Sequence, residues 1–474
     1  MAAPEIDLLT IARGLVVAPA GCGKTQLIAD ALIRHKGPKP VLILTHTNAG
    51  VVALRARLDK AGVKPSAYRL STIDGWAIRL ITTFPERAGH NPAIVAGPRP
   101  NYPAIRVAAA KLLESRHIND VIAASYARLL VDEYQDCSIR QHAIVYYASL
   151  ILPVCVVGDD MQAIFGFGDD PLAGWGEHVC SHFEAAGSLG RPWRWINAGA
   201  EPLGQWLLEV RRNLLAGVAI DLRTAPEHVT WVPLDGSSND HPKLLDACRV
   251  TPPDGRGSVL IIGDSTNPGS QRRFASQTPG AVAVEAVDLR DLVNFAAGLD
   301  LNAGDALHRI ASFAEELMTN VGAADLINRT GIITRGTARR EASATETAAV
   351  AFLGDRTHKR VAELMVEMNK EAGVRVYRPA VLHACLRALD MCQSAAGKTF
   401  HEAAIHMREQ NRLLGRPLPR RAVGSTLLLK GLEADVAVIL NASALDGRNL
   451  YVAMTRGSKR LVVCARSPIL NPAL

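Results

Sequence analysis

Short, almost uninterrupted apolar runs alternate with amphipathic ones over the first part of the chain. Residues 14–21 (GLVVAPAG) read as a buried strand running into a Gly-rich turn, and Lys24–Arg34 as the helix after it. KPVLILTHT, from Lys39, is a second buried strand, followed by a helix over about 49–61. YARLLVDEY, from Tyr126, and LPVCVVGDD, from Leu152, are two more strands. Uniformly apolar strands separated by helices imply a parallel sheet covered on both faces. Residues 1–79 and 125–188 therefore predict one α/β domain. Residues 80–124 interrupt it as a small insertion, loop-like at first (PERAGHNPAIVAGPRPNYP) and helical over 104–116.

A second α/β region begins near Leu189, with strands predicted at VTWVPL (from Val229), SVLIIGDS (from Ser258) and AVAVEAV (from Ala281). After Asp288 the pattern is almost wholly helical to about Arg412. Pro417 and Pro419 break it, and the strands ADVAVILNA (from Ala434) and RLVVCARS (from Arg460) follow. A sheet region that pauses for a helical block and then finishes predicts a second sheet domain, 189–300 and 420–474, carrying a helical insertion over 301–419. No repeat of fixed period and no low-complexity tract occurs.

The 474 residues are 48% hydrophobic, which excludes wholesale disorder and suggests two to four domains. The longest uncharged stretch near the middle, 143–158, is too short to span a bilayer as a helix. Glu5 and Asp7 precede the first apolar run, which argues against a signal peptide. Eight Cys without a CxxC pair predict reduced thiols in a cytoplasmic protein, and neither a disulfide framework nor a zinc or iron–sulfur site. The net charge is +7, and residues 401–474 carry 11 Lys and Arg against 5 Asp and Glu. Such a segment suits a polyanion, nucleic acid first, or is simply a solvated basic surface.

Residues 18–25 (Ala18, Pro19, Ala20, Gly21, Cys22, Gly23, Lys24, Thr25) follow a predicted strand and open a helix, the context of a phosphate-binding loop. Gly21 and Gly23 let backbone N–H groups turn inward, and the helix N-terminus adds partial positive charge. Lys24 reaches the β/γ-phosphates of a nucleotide in such a loop, and Thr25 holds Mg2+. The apolar strand before Asp132 and Glu133 ends in acids. Asp132 suits water-mediated Mg2+ coordination, and Glu133 suits orienting or deprotonating a water.

The loop, the acids in VDEYQD and the strand end VVGDDMQAIFGF together resemble the UvrD/Rep/PcrA-type helicases of superfamily 1A. LTHTNAGVVALRARL (from Leu44), STIDGWAIRLI (from Ser71) and LGRPWRW (from Leu189) are similar to that family's motifs Ia, Ib and IV. VLIIGDSTNPGSQRRF (from Val259) is similar to the strand and loop that follow motif IV. STLLLKGLEADVAVIL (from Ser425) and LYVAMTRGSKRLVV (from Leu450) resemble motifs V and VI. The resemblance implies two RecA-like domains, each with a mainly helical insertion, and ATP between them. It implies Gln162 as γ-phosphate sensor, Arg194 and Arg456 as arginine fingers from the second sheet domain, and Glu433 on the nucleotide ribose. It further implies nucleic-acid contacts from Thr45, His46 and Asn48, from Thr72 and Trp76, and from Phe165 and Phe167. The DEYQD form favours 3′→5′ movement on DNA.

The chain departs from that family in several places. Residues 1–17 hold no Gln to read adenine, and Gln26 replaces a basic residue near the base. His46 replaces a Phe, Asp74 a His, Phe167 a Trp, Gly168 a basic residue, and Leu427 and Leu429 a His and a Ser. These changes thin the nucleic-acid set and leave the hydrolytic one intact. A compact chain of this kind resembles the helicase-like subunit of Gabija-type anti-phage systems, which works beside a nuclease partner. Two classes of function are thereby expected. One is a translocase or helicase on single-stranded or tailed duplex DNA. The other is a nucleotide- and DNA-sensing ATPase subunit of a nuclease complex.

Overall fold

The four apolar runs of the first region become the inner strands of a parallel sheet. The computed structural model describes residues 6–96, 100–166, 169–286, 288–394, 398–411 and 419–474. In it β1 (Arg13–Val17), β2 (Val41–Thr45), β3 (Tyr68–Thr72), β4 (Arg128–Val131), β5 (Val154–Gly158) and β6 (Ala185–Ser188) lie in the order β3-β2-β4-β5-β1-β6. Every pairing in this sheet is parallel. All residues of β2, β4 and β5 are buried, as strands covered on both faces should be. Alternate residues feed two cores. Leu15, Leu42, Leu44, Leu129, Val131, Val154 and Val156 enter one, and Val16, Ile43, Leu130, Cys155 and Val157 the other. β5 separates the strand leading into the Gly-rich loop from the strand ending in the acids, the strand order of a RecA-like domain.

β3 and β6 were not foreseen in the apolar pattern. Both are edge strands. Only Tyr68 of β3 is buried, and β6 (AAGS) has no side chain larger than Ala or Ser. The insertion over 80–124 is not a separate body. Its helices Tyr102–Glu114 and Asn119–Ser125 send Ile105, Ala109, Leu112, Leu113 and Ile122 into the same core as one face of the sheet.

Farther along, β7 (Ile220–Asp221) stands outside both large sheets. β8 (Val229–Pro233), β9 (Val259–Ile262) and β10 (Ala281–Ala283) precede the helical block, within which β11 (Met318–Thr319) and β12 (Arg375–Val376) form an antiparallel pair. β13 (Arg421–Gly424), β14 (Ala434–Ile439) and β15 (Gly457–Ala465) follow, and β16 (Ile469–Leu470) pairs antiparallel with β7. The second six-stranded sheet has the order β10-β13-β9-β14-β15-β8. Its pairings β10–β13, β13–β9 and β9–β14 are parallel. β13, too short and too weakly apolar to stand out in sequence, lies beside β10. The chain thus leaves the sheet for the helical block and returns one strand away. The block has its own core, drawn from helices between Arg290 and Asn411 and including Leu292, Ile310, Phe352, Leu364, Leu382 and Phe400.

The chain forms two compact units. One comprises Met1–Trp231, Ala442–Leu461 and Ser467–Leu474; the other comprises Val232–Asn441 and Val462–Arg466. Residues 189–231 and 442–461, expected in the second sheet domain, therefore belong to the unit that holds the Gly-rich loop. The helices Glu201–Leu215 and Gly447–Met454 put Leu203, Leu207, Val210 and Leu214, and Leu450, Tyr451 and Met454, among its buried residues.

A histidine cluster lies at the end of the helix Ile139–Ser149 that faces Phe183. Buried His142 shares hydrogen bonds with the Tyr134 hydroxyl (2.8 Å, through Nδ1) and with His182 Nδ1 (2.8 Å, through Nε2), and the His178 ring lies 6.1 Å away. Burial, then the neighbouring His182 and His178, push the His142 pKa down to about 4. An unfolded His titrates near 6.5. The native state therefore keeps its full advantage above pH 6.5 and loses it as pH falls toward 4, by about 3 kcal/mol in all. Thermal melts between pH 7.5 and 4.5 should show a smaller acid-induced fall in Tm for His142→Gln than for the wild-type chain.

Candidate nucleotide site

β1 delivers the chain into the loop, where the Ala18 N–H donates to the Gly158 carbonyl at the end of β5 (2.8 Å). Gly21 and Gly23 adopt left-handed φ of 72° and 86°. They also have no room for a side chain. A Cβ on Gly21 would lie 2.5 Å from the Trp195 ring, and one on Gly23 would lie 3.0 Å from Trp193. The helix Lys24–Arg34 starts at Gly23 with neither a capping side chain nor an acid in its first turn. Its first N–H groups and its dipole thus face the loop, the arrangement that receives anions.

Lys24 closes the site. Its Nζ lies 3.2 Å from Asp132 Oδ1 and 2.7 Å from Glu133 Oε1. Burial works against the charged ammonium, but the two carboxylates outweigh it and hold the pKa above the ordinary lysine value. Burial also raises the pKa of Asp132; Lys24 opposes this rise and the Glu133 charge adds to it. The trio carries one net negative charge when ionised. Glu133 adopts a left-handed backbone (φ 54°), uncommon for a non-glycine residue and a place where functional sites hold strain. Glu133 Oε2 accepts from Gln135 Nε2 (2.6 Å), and Gln135 Oε1 in turn accepts from the Asp159 N–H (3.1 Å). A Cβ at Gly158 would lie 2.7 Å from that Gln135 oxygen, so glycine is needed there too.

The other expected residues take the following places. The Thr25 hydroxyl accepts from Arg57 (3.3 Å), and Gln26 donates to Asp30 (2.8 Å). Gln162 donates to Asp159 Oδ2 (3.1 Å). The Arg194 N–H donates to the Gly21 carbonyl (3.0 Å), and its guanidinium donates to the Thr455 carbonyl (2.6 Å). Arg456 is buried, and its guanidinium donates to the Val452 carbonyl (2.8 Å) and the Thr455 hydroxyl (3.0 Å). Tyr451 supplies a further link, its hydroxyl accepting from the Ala20 N–H (3.2 Å). Arg194 touches the loop through its N–H, and both Arg194 and Arg456 belong to the loop's own unit, not to the other one. Glu433 is exposed in the turn before β14, in the second unit. A hydroxyl and a carboxylate beside a glycine cradle are the hard oxygen donors and the anion seat that a magnesium–nucleotide complex requires.

The expected nucleic-acid residues divide. His46 and Phe165 are half-buried and pair ring to ring (centroids 5.8 Å apart), joining the ends of β2 and β5, and Asn48 is exposed. Thr72 caps its helix through the Gly75 N–H (2.9 Å). Thr45 and Trp76 are 1% and 2% exposed, and Trp76 is a core side chain. Phe167 lies outside the described residues. Asp74 forms a two-pronged ion pair with Arg106 (2.7 Å for each bond), and Arg106 also binds Asp170 (2.8 Å). Sequence reasoning quoted Gln135, Asp159 and Tyr451 inside motifs without giving them roles. Arg211 is a charge on the apolar face of its helix, beside Leu207, Val210 and Leu214, and that is the signal that could have found it.

Residues 100–169 match the model of the UvrD/REP helicase N-terminal domain family. That stretch includes β4, both acids, β5 and Gln162 but not the loop. No curated protein is significantly similar to the chain in sequence. Among solved structures the chain is similar to the Pif1 helicase of Candida albicans, at 12% identity over 98% of this chain and 93% of that one, with a TM-score of 0.38. It is also similar to the arterivirus nonstructural protein 10 helicase, solved with DNA, at 12% identity and a TM-score of 0.28. That match covers 54% of this chain and 48% of the viral one, so this chain spans about half the viral helicase's length. Among the described residues no helix is long and apolar enough to cross a membrane.

A buried indole in the core predicts that Trp76→Ala lowers stability by about 3–5 kcal/mol. Trp76→Phe should retain most of that stability and bind single-stranded DNA as the wild type does, as measured by fluorescence anisotropy. Loss of DNA affinity in a fully folded Trp76→Phe would return this residue to the nucleic-acid surface.

Proposed function

We propose that this chain hydrolyses ATP at the Lys24 site and couples the hydrolysis to 3′→5′ movement on single-stranded DNA, as a translocase or helicase. The observation that carries the reading is the clamp of Lys24 between Asp132 and Glu133, at the mouth of a glycine loop and linked through Gln135 and Asp159 to Gln162. The helicase family match over residues 100–169 supports the same class. Lys24 compensates phosphate charge, while Thr25 and Asp132 hold Mg2+. The metal supplies charge neutralisation at the phosphate oxygens when bound. Glu133 accepts the proton of the attacking water. Gln162, Arg194 and Arg456 complete the electrostatic frame, and a well-placed Arg of this kind is worth roughly 10³–10⁵ in rate. Glu433 is the candidate ribose contact. His46, Asn48, Thr72 and Phe165 remain the candidate strand contacts, with grip through phosphates and stacked bases and little regard to sequence. Polarity and the preference for DNA rest on the DEYQD resemblance.

A second reading has its own observation. Trp76 and Thr45 are buried, so two positions of the expected strand-binding set face inward, and Asp74, which stands where the family has a His, is bound by Arg106. That pattern favours an ATPase subunit that senses nucleotide and DNA on behalf of a nuclease partner in the cytoplasm, with strand separation reduced.

The deciding experiment is the ATPase rate of the purified chain with and without single-stranded DNA, together with strand displacement on 3′- and 5′-tailed duplexes. Stimulation by DNA and displacement from the 3′ tail support the first reading, stimulation without displacement the second, and a rate indifferent to DNA overturns both. Lys24→Ala should abolish hydrolysis. Glu133→Gln should bind nucleotide yet turn over at least about 10²-fold more slowly. Arg456→Lys, which keeps the charge but not the planar fork, should bind nucleotide normally and lose about 10²-fold or more in kcat.

A further inference from the structure

We infer that Arg211, on the helix Glu201–Leu215, is a positioning residue for hydrolysis: it pins the buried carboxylate of Asp159, a residue that holds Gln162 through that carboxylate and the Gln135–Glu133 pair through its backbone N–H. The inference rests on the hydrolysis reading above and deepens it.

Asp159 follows β5 directly and is fully buried. Its Oδ1 accepts from Arg211 Nε (2.9 Å) and Nη2 (2.7 Å), and from the Met161 N–H (3.3 Å). Its Oδ2 accepts from Gln162 Nε2 (3.1 Å). The Asp159 N–H donates to Gln135, which donates to Glu133. One residue therefore joins the acid strand, the interposed strand and Gln162. Both guanidinium bonds fall on the same oxygen, which leaves the other oriented toward Gln162.

A carboxylate sealed from water needs a cation, and one deprived of its partner takes a proton or turns away. Lys24 is already shared by Asp132 and Glu133. Arg211 supplies the charge for Asp159 from behind the site. Tyr451, whose hydroxyl receives the Ala20 N–H of the loop, lies in the electrostatic field of the same pair. Arg211 is displayed inward by the face that buries Leu207, Val210 and Leu214, whereas its neighbour Arg212 is exposed. Arg212 is thus a built-in control with the same chemistry.

The test uses the full chain, its steady-state ATPase and the affinity of a fluorescent ATP analogue with Mg2+. Arg211→Met should reduce kcat about 10²-fold, the scale of loss expected from a small misplacement of reacting groups, with nucleotide Kd within about threefold of wild type. Arg211→Lys should recover part of the rate. Asp159→Asn combined with Arg211→Met should be no slower than Arg211→Met alone, because both act through one carboxylate. Arg212→Met should match wild type. A kcat for Arg211→Met within about threefold of wild type overturns the inference, as does a loss of affinity that equals the loss of rate. Should Arg211→Met lack a melting transition, Arg211→Lys decides, and a wild-type rate there overturns the inference. A wild-type chain that does not hydrolyse ATP would instead sink the hydrolysis reading itself. Wild-type hydrolysis that is indifferent to Arg211 sinks only this inference.

Discussion

One ammonium between two carboxylates organises the first unit. Neighbouring parallel strands lie about 4.8 Å apart, so the ends of β1 and β4, separated by β5, stand about 10 Å from each other. Lys24 spans that gap because the glycine turn brings its Cα back over the sheet edge and its four-carbon stem reaches the rest. The ion cluster therefore tests the sheet order itself: a slip of β4 or β5 would move the acids out of reach. It also places an excess of negative charge beside the uncapped first turn of the helix Lys24–Arg34, whose dipole is positive there. Either charge pattern alone is ordinary, but their adjacency is what a metal-bound polyanion would match.

The same logic recurs where the chain leaves and rejoins its sheets. Arg106 ties the insertion helix to Asp74 and Asp170, flanking the ends of β3 and β5. In the second unit, buried Arg378, at the start of the last long helices, holds Glu285 after β10 and Asp291 at the head of the first helix of the block. Apolar packing tolerates sliding, whereas a buried guanidinium leaves an unpaired charge when it slides. Breaking such a pair costs about 3–5 kcal/mol. These pairs add little net stability compared with apolar side chains of equal size. What they specify is where each insertion docks on its own unit.

Much of this was legible in the residues because the chemistry sits at strand ends. GLVVAPAG, YARLLVDEY and LPVCVVGDD each show a buried strand and the candidate site residues that follow it, so sheet and candidate site are read together. What stayed hidden had no periodic signature. β3, β6 and β13 are edge or short strands with few apolar residues. Trp76 looked like a stacking aromatic because an aromatic at an element end reads the same whether it faces solvent or core. Arg211 was silent because its partner is far away in sequence, although it falls on the apolar face of its helix with Leu207, Val210 and Leu214. Residues 189–231 and 442–461 were assigned by motif order. Their docking depends on tertiary hydrogen bonds, Tyr451 to Ala20 and Arg194 to Gly21, that no local pattern encodes.

Charge counting leaves a related question open, a polyanion partner or a solvated basic surface. Residues 401–474 hold most of the net positive charge, which as a linear segment suggests a strip for a polyanion. In the folded chain at least three of the segment's eleven basic groups are engaged by the protein itself. Arg421 donates to the carbonyls of Cys248 and Val250, Arg448 pairs with Asp160 (3.1 Å), and Arg456 donates to Val452 and Thr455. The half-buried ring pair of His46, after β2, and Phe165 is a further candidate contact for nucleic acid. A surface of that kind grips through a few stacked rings more than through counterion release. Its affinity should therefore fall less steeply with salt than the sequence charge implies.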